Sequence, residues 1–238
     1  MGITVIYGGT GGIGSAVART ITDRGNSVHL VGRNADRLQE AASTLDCTFT
    51  VGDVEDLGVF DRVADDVSDP VDGLVYAVGT INLKSLQRLT EEDYLTDFKV
   101  NVLGAALAIK SLIPAMRKSS DAASVVLYSS VAASQGFSLH GSTGMVKGAI
   151  NGLTLSLAAE LAPGIRVNAI APTLTKTPLA SGILSNEKMA DALAKQHPLE
   201  RLGESADMAS MTAFLLSSES SFITGQIFGV DGGRSTLR

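Results

Sequence analysis

The stretch Val5-Ile6-Tyr7-Gly8-Gly9-Thr10-Gly11-Gly12-Ile13-Gly14 decides the fold. A short apolar run ends in closely spaced glycines, and a helix-compatible segment, Ser15 to Arg24, follows at once. That order reads as a strand, a tight turn and a helix start. Glycine lets a backbone turn with positive φ and come within hydrogen-bonding reach of a diphosphate in the same few residues. Free amide N–H groups at the helix N-terminus, backed by the helix dipole, then stabilise the phosphate charge. A glycine cluster also fits an ordinary turn. Its place at the start of an alternating strand and helix chain favours a dinucleotide site using Gly8, Thr10, Gly12, Ile13 and Gly14.

The alternation continues through all 238 residues, so the chain reads as a single domain, residues 1–238. With 45% hydrophobic and 18% charged residues it has ample material for a buried parallel sheet. A net charge of −6 with no basic cluster argues against nucleic acid as a partner. The single cysteine, Cys47, excludes an internal disulfide and a cysteine-based metal cluster, and no metal site is expected. It lies in a predicted strand and reads as a buried hydrophobe. No basic segment with an apolar core precedes the first strand and no apolar run approaches a membrane span, so a cytoplasmic protein is expected, with no membrane partner. Asp66 to Asp72 and Lys118 to Ala122 read as loops.

Val28 to Val31 is the second predicted strand, ending at Gly32-Arg33-Asn34. In dinucleotide folds an acid here bonds the ribose 2′-hydroxyl of NAD, whereas an arginine accommodates the 2′-phosphate of NADP. Arg33, with Asn34 beside it, therefore favours NADP, with NAD as the alternative; Arg33 also fits the start of a solvated helix. A helix over Ala35 to Leu45 and a third strand, Cys47 to Val51, lead to Gly52-Asp53-Val54. Asp53 suits an adenine amino group or the cap of a helix from Asp56 onward. Gly73 to Tyr76 is a fourth strand, and the small Ala77-Val78-Gly79 would let the chain pass close to a ribose. Thr90 caps a long helix reaching as far as Met116, in which Asn101 is a polar residue that needs partners. Val125 to Tyr128 makes a fifth strand and leads into Ser129-Ser130.

Together these residues resemble the short-chain dehydrogenases/reductases, and within them the group that includes the 3-oxoacyl-[acyl carrier protein] reductases. Gly8, Gly12 and Gly14 match the glycine motif, Asp53-Val54 the adenine motif, and Asn101 the active-site asparagine. Ser130 falls on the catalytic serine, Lys147 on the catalytic lysine, and Arg166 to Pro172 on the sixth strand and its exit. The resemblance implies a doubly wound Rossmann fold with about seven parallel strands. It also implies a serine that orients a carbonyl, a tyrosine that moves the proton, and a lysine one helical turn on that lowers the phenol's pKa and holds the nicotinamide ribose. The asparagine would hold a water on the proton path.

Four residues before Lys147, where the family's tyrosine is expected, stands Thr143. No tyrosine follows Tyr128. An aliphatic hydroxyl does not titrate near neutrality, whereas a phenol starts at ~10. A replacement proton would come from His140, whose imidazole suits transfer near pH 7, or through a water relay at Ser138, Ser142 or Thr143 itself. Tyr7 replaces a threonine of the family motif and Tyr76-Ala77-Val78-Gly79 replaces Asn-Asn-Ala-Gly, removing a hydrogen bond that would brace the sheet.

The resemblance sets Pro172, Thr175 and Thr177 along the nicotinamide, and residues 179–202 as a mobile lid whose small and aliphatic side chains suit an apolar substrate of modest size. The last long helix runs from Ser205 to Ser217 with Ser205 as its cap, and Ile227 to Val230 is the final strand. By analogy the helices around Asn101 and Lys147 pair with copies of themselves in a homodimer or homotetramer. Three functions follow as expectations. The first is an atypical NADP(H)-dependent oxidoreductase acting on a small-molecule carbonyl or alcohol. The second is a silent nucleotide-binding or partner protein, and the third a non-redox lyase or isomerase.

Overall fold

The glycine-ended run folds as β1 (Ile3–Tyr7), every residue of which is buried. The structure is a computed structural model that describes residues 2–67 and 70–237. The chain continues through α1 (Gly12–Asp23), β2 (Ser27–Gly32), α2 (Ala35–Leu45), β3 (Thr48–Val51), α3 (Val59–Asp66) and β4 (Val71–Tyr76). There follow α4 (Glu91–Phe98), a π-helical turn at Lys99–Leu103, α5 (Gly104–Met116), β5 (Ala123–Tyr128), α6 (Gly141–Leu161) and β6 (Ile165–Pro172). The last part holds β7 (Thr175–Lys176), α7 (Ser181–Leu184), α8 (Glu187–Ala194), β8 (Gly203–Glu204), α9 (Ser205–Leu216) and β9 (Ile227–Val230). Seven strands form one sheet in the order β3-β2-β1-β4-β5-β6-β9, and every pairing is parallel. This is the expected doubly wound Rossmann architecture.

Strand pleating sends successive residues of β1 to opposite faces. Val5 and Tyr7 join a core with Val59, Ile109, Leu112 and Ile150, under α3, α5 and α6. Ile6 joins a second core with Val17, Leu38, Met208 and Leu215, under α1, α2 and α9. Burial on both faces is why these strands are continuous apolar runs rather than alternating ones. Strand order reverses between β1 and β4, and this switch point opens a crevice beyond the strand C-termini, where ligands of such sheets bind.

Several local expectations need correcting. Asp53 does not cap a helix at Asp56: α3 starts at Val59, and the Asp53 Oδ1 instead accepts the Glu55 N–H at 3.0 Å. The cap of α9 is Glu204, not Ser205; its N–H donates to Asp207, which Arg201 grips through both nitrogens at 2.6 and 2.8 Å. Cys47 is half-buried and precedes β3 rather than opening it. Of the Asp66 to Asp72 loop, Asp66 closes α3 and Val71 opens β4, while residues 68 and 69 lie outside the described residues. Contrary to the expectation that no run approaches a span, the continuous helix Glu91–Met116 is long and apolar enough to cross a membrane by length and composition. Its apolar face, with Ala105, Ala108, Ile109 and Leu112, is buried in the core.

Candidate active site

The glycine turn has a steric cause at each end. Gly8 has φ +79°, and a Cβ on Gly14 would stand 2.2 Å from the Gly8 carbonyl oxygen, so α1 can leave β1 at this angle only without a side chain there. A Cβ on Gly12 would meet Thr177 at 2.8 Å, which brings the lid's entry against the turn. The first helical turn of α1 has no side-chain cap and no acid, leaving its N–H groups for an anion. Thr10 sits by the end of β2, its Oγ1 3.3 Å from where a Gly32 Cβ would be.

At the end of β2, Arg33 is exposed and its Nη1 lies 3.6 Å from Asp53 Oδ2. Asn34 spends its Oδ1 on the Arg37 N–H at 2.9 Å, capping α2, so only its amide group faces outward freely. Val54 is buried.

A cavity of about 400 Å³ opens at the C-terminal edge of β4, β5 and β6. Ile13, Ala77, Gly79, Ser130, Thr143, Lys147, Pro172, Thr175 and Thr177 all line it, so the structure brings these residues together. The lid covers it with Leu179, Ile183, Met189 and Leu193. Both lid ends are tied by the parallel pairing of β7 with β8, reinforced by Lys176 Nζ to Glu204 Oε1 at 2.6 Å.

Ser130 Oγ accepts the Ala132 N–H at 3.1 Å, which leaves its own proton free to donate into the cavity. Lys147 Nζ donates to the Tyr128 carbonyl at 2.9 Å. Burial lowers its pKa to about 8, against the nearby charge of Asp97, which raises it. Thr143 sits one turn earlier on α6, buried, with its hydroxyl donating to the Asn82 carbonyl at 3.3 Å. His140 enters the cavity wall from the N-terminus of α6; its Nδ1 donates to the Ser138 carbonyl at 2.8 Å, because a carbonyl only accepts, and so the neutral ring keeps a lone pair at Nε2. His29 bonds Thr48 and Thr50 within the sheet, away from the cavity; His197 does line the cavity, with its ring nitrogens engaged by Thr173 Oγ1 and the Leu193 carbonyl.

None of the four tyrosines brings its hydroxyl to this cavity. Tyr128 reaches it, but its OH pairs with Thr212 Oγ1 at 2.6 Å beneath the sheet; Tyr7, Tyr76 and Tyr94 do not line it. Burial raises the Tyr76 and Tyr128 phenols well above their usual range.

Asn101 owes its position to Tyr76. The Gly104 N–H passes over the Val100 carbonyl and bonds Lys99 instead, making the π-turn, and the freed Val100 carbonyl accepts the Tyr76 hydroxyl at 2.6 Å. A Cβ at 104 would sit 2.1 Å from that hydroxyl, so glycine makes room for it. Tyr76 thus replaces the brace whose loss the sequence implied. Asn101 Nδ2 donates to Thr80 Oγ1 at 2.8 Å and to the Asp97 carbonyl at 2.9 Å. Its Oδ1 is buried without a partner, and both that oxygen and Lys147 Nζ border Gly79. Asp97, itself buried, accepts from Thr80 and from Ser142, the latter through a short bond. Sequence reasoning missed Asp97 and Thr80. The one available signal was the four-residue offset of Asp97 from Asn101 on a helix.

Tyr76→Phe leaves the Val100 carbonyl buried and unpaired, which costs about 1–3 kcal/mol. Thermal unfolding should fall by roughly 2–8 °C, and an unchanged midpoint would show that the brace contributes nothing.

Over residues 8–235 the chain matches the family profile described as Enoyl-(Acyl carrier protein) reductase. A tropinone reductase homologue of Arabidopsis thaliana is 35% identical over 239 residues, covering 96% of this chain and 91% of the relative. A short-chain type dehydrogenase/reductase from Mycobacterium ulcerans superposes with a TM-score of 0.92 at 32% identity, over 99% of this chain and 90% of that one. ElxO, solved with NADP bound, gives a TM-score of 0.90 at 29% identity, over 98% of this chain and 99% of its own. By its sheet, its glycine turn and these likenesses, the chain belongs to the short-chain dehydrogenase/reductase family of oxidoreductases.

Proposed function

We propose that this protein is an NADP(H)-dependent oxidoreductase of a small carbonyl or alcohol that works without a tyrosine proton donor. The observation that carries this reading is the convergence of Ser130, Lys147 and, from the glycine turn, Ile13 on one cavity that no tyrosine hydroxyl enters, with Asn101 Oδ1 bordering Gly79 in its wall. The fit to a dinucleotide rests on the turn itself, a cradle that any Cβ at 12 or 14 would fill, and on the uncapped start of α1. Gly8, Thr10, Gly12, Ile13 and Gly14 would hold the diphosphate. Ala77, Gly79, Pro172, Thr175 and Thr177 would flank the ribose and nicotinamide, with Asp53 and Val54 at the adenine. Exposed Arg33, with Asn34 beside it, suits a 2′-phosphate, and ElxO, a relative of the same fold, binds NADP.

When bound, the nicotinamide supplies or accepts the hydride. Ser130 donates to the carbonyl oxygen, positioning it and stabilising developing negative charge. Lys147 uses one N–H on the Tyr128 carbonyl and has others for the ribose and for a water. The unpartnered Asn101 Oδ1 beside it is an acceptor for that water. Thr143 spends its proton on the Asn82 carbonyl, so in our reading the proton reaches the alkoxide from Lys147 through water.

Reduction should therefore weaken as pH rises through about 8, where the Lys147 ammonium is lost. The sign for stability is opposite. The folded pKa lies below the ~10.4 of an exposed lysine, so the unfolded chain binds more protons between those values and stability from this group rises with pH there. A pH–rate profile with no descending limb near 8 would exclude Lys147 from the proton path.

The same missing hydroxyl also supports a second reading, a silent nucleotide-binding or partner protein. Titrations with NADPH and NADH, followed by a carbonyl panel, separate the two: binding with turnover supports the oxidoreductase, and binding without turnover supports the silent protein. Turnover with unchanged nicotinamide absorbance would indicate lyase or isomerase chemistry. We also propose self-association through α4 and α6, where Leu95, Phe98, Met145 and Leu155 are exposed, as a homodimer or homotetramer. A cytoplasmic setting, in keeping with the unpaired Cys47, completes the reading.

A further inference from the structure

The chain carries 25 acidic against 19 basic side chains, yet among the described residues no aspartate or glutamate lines the cavity. Two cations do. Lys147 lies at the reacting end, and Arg234 comes from the turn after β9. Arg234 is half-buried and has no carboxylate partner among the described residues. Its guanidinium lies over the Phe137 ring with Cζ 5.7 Å from the centroid, and Nη2 donates to Gln196 Oε1 at 3.2 Å. Stacking uses the flat face of a guanidinium and leaves its N–H edge available. Gln135 Nε2 donates to the Ser235 carbonyl at 2.8 Å, holding this part of the tail against the loop before α6. The placement of Arg234 is therefore built by three separate contacts.

A half-buried guanidinium with one neutral acceptor is under-paired, and its planar fork matches a carboxylate. The rest of the wall is mostly apolar, with Ile81, Leu83, Leu174, Ile183 and Leu193 in it, and its other polar side chains are hydroxyls, Gln196, His140 and His197. We propose that the substrate is an apolar carbonyl compound, or the corresponding alcohol, that carries a carboxylate, with Arg234 as the anchor of the anion and Ser130 at the carbonyl. This assignment rests on the oxidoreductase reading and adds the substrate class.

The test is reduction of 5-oxohexanoate, 7-oxooctanoate and 9-oxodecanoate, each against its methyl ester, by wild type, Arg234→Gln and Arg234→Lys. At the chain length that spans the cavity, the acid should exceed its ester in kcat/KM by about 10- to 100-fold, the worth of a charge-assisted hydrogen bond. Arg234→Gln should bring the acid down toward the ester, and Arg234→Lys should keep part of the preference. Acids and esters reduced alike at every length, or a preference that survives Arg234→Gln, would overturn the proposal. If no ketone is reduced, the same acids and esters are titrated with NADPH present and read as thermal protection. An acid preference lost in Arg234→Gln then supports the anchor while counting against the oxidoreductase reading alone, and equal protection overturns the anchor.

Discussion

Thr143→Tyr is expected to raise the rate of NADPH-dependent ketone reduction by about 10²- to 10⁴-fold, the usual worth of a positioned general acid. At about 1.4 kcal/mol per factor of ten this is roughly 3–5 kcal/mol of barrier. Thr143 and Lys147 lie one turn apart on α6 and line the same cavity, so a phenol at 143 would project beside the ammonium. That charge favours the phenolate and draws the pKa below its ordinary ~10. The cavity of about 400 Å³ beside Thr143 has room for the ring. Thr143→Phe separates proton transfer from packing, because it fills the same space without an acid. Equal rates in the two variants, or no gain in Thr143→Tyr, would mean that another group already delivers the proton efficiently, and His140→Asn would be the next measurement.

Gly14→Ala is expected to weaken NADPH binding by on the order of 100-fold or more and to lower stability by about 1–3 kcal/mol. The added Cβ would meet the Gly8 oxygen at 2.2 Å and the Gly8 carbonyl carbon at 2.8 Å. Both are backbone atoms, so no rotamer change relieves the clash and α1 must shift off its anion-facing axis. Gly8 cannot yield, since its N–H is fixed to the Val31 carbonyl at 2.9 Å and its φ is positive. Gly136→Ala is the control: nothing lies within 4 Å of the added atom. Calorimetric titration with NADPH reads the first effect, and wild-type affinity in Gly14→Ala would remove the glycine turn from the cofactor site.

Much of the fold was legible because its signals are local. The β1 run, its glycines and the α2 and β9 boundaries, Ala35–Leu45 and Ile227–Val230, lie where periodicity and turn residues set them. Ser130 and Lys147, picked out by the family resemblance, line one cavity. Caps were read less well. Asp53 and Ser205 have residue types suited to caps, but an Asx turn in one case and the Arg201–Asp207 pair in the other displaced them. The lid's apolar face was visible in composition, whereas its fastening by β7 and β8 joins two dipeptides too short to signal a strand.

The sequence by itself determined the strand, turn and helix that make a dinucleotide cradle, the parallel order that follows from unbroken alternation, and the threonine one turn before Lys147. These depend on backbone conformations and spacings that neighbours along the chain impose. Only the tertiary structure decided that Tyr76 would capture the Val100 carbonyl and open the π-turn, that Asn101 Oδ1 would be left without a partner beside Lys147, and that Arg234 would reach the cavity over Phe137. Each of these joins side chains far apart in sequence, and their pairing is set by which faces the sheet and helices bury together rather than by any local preference.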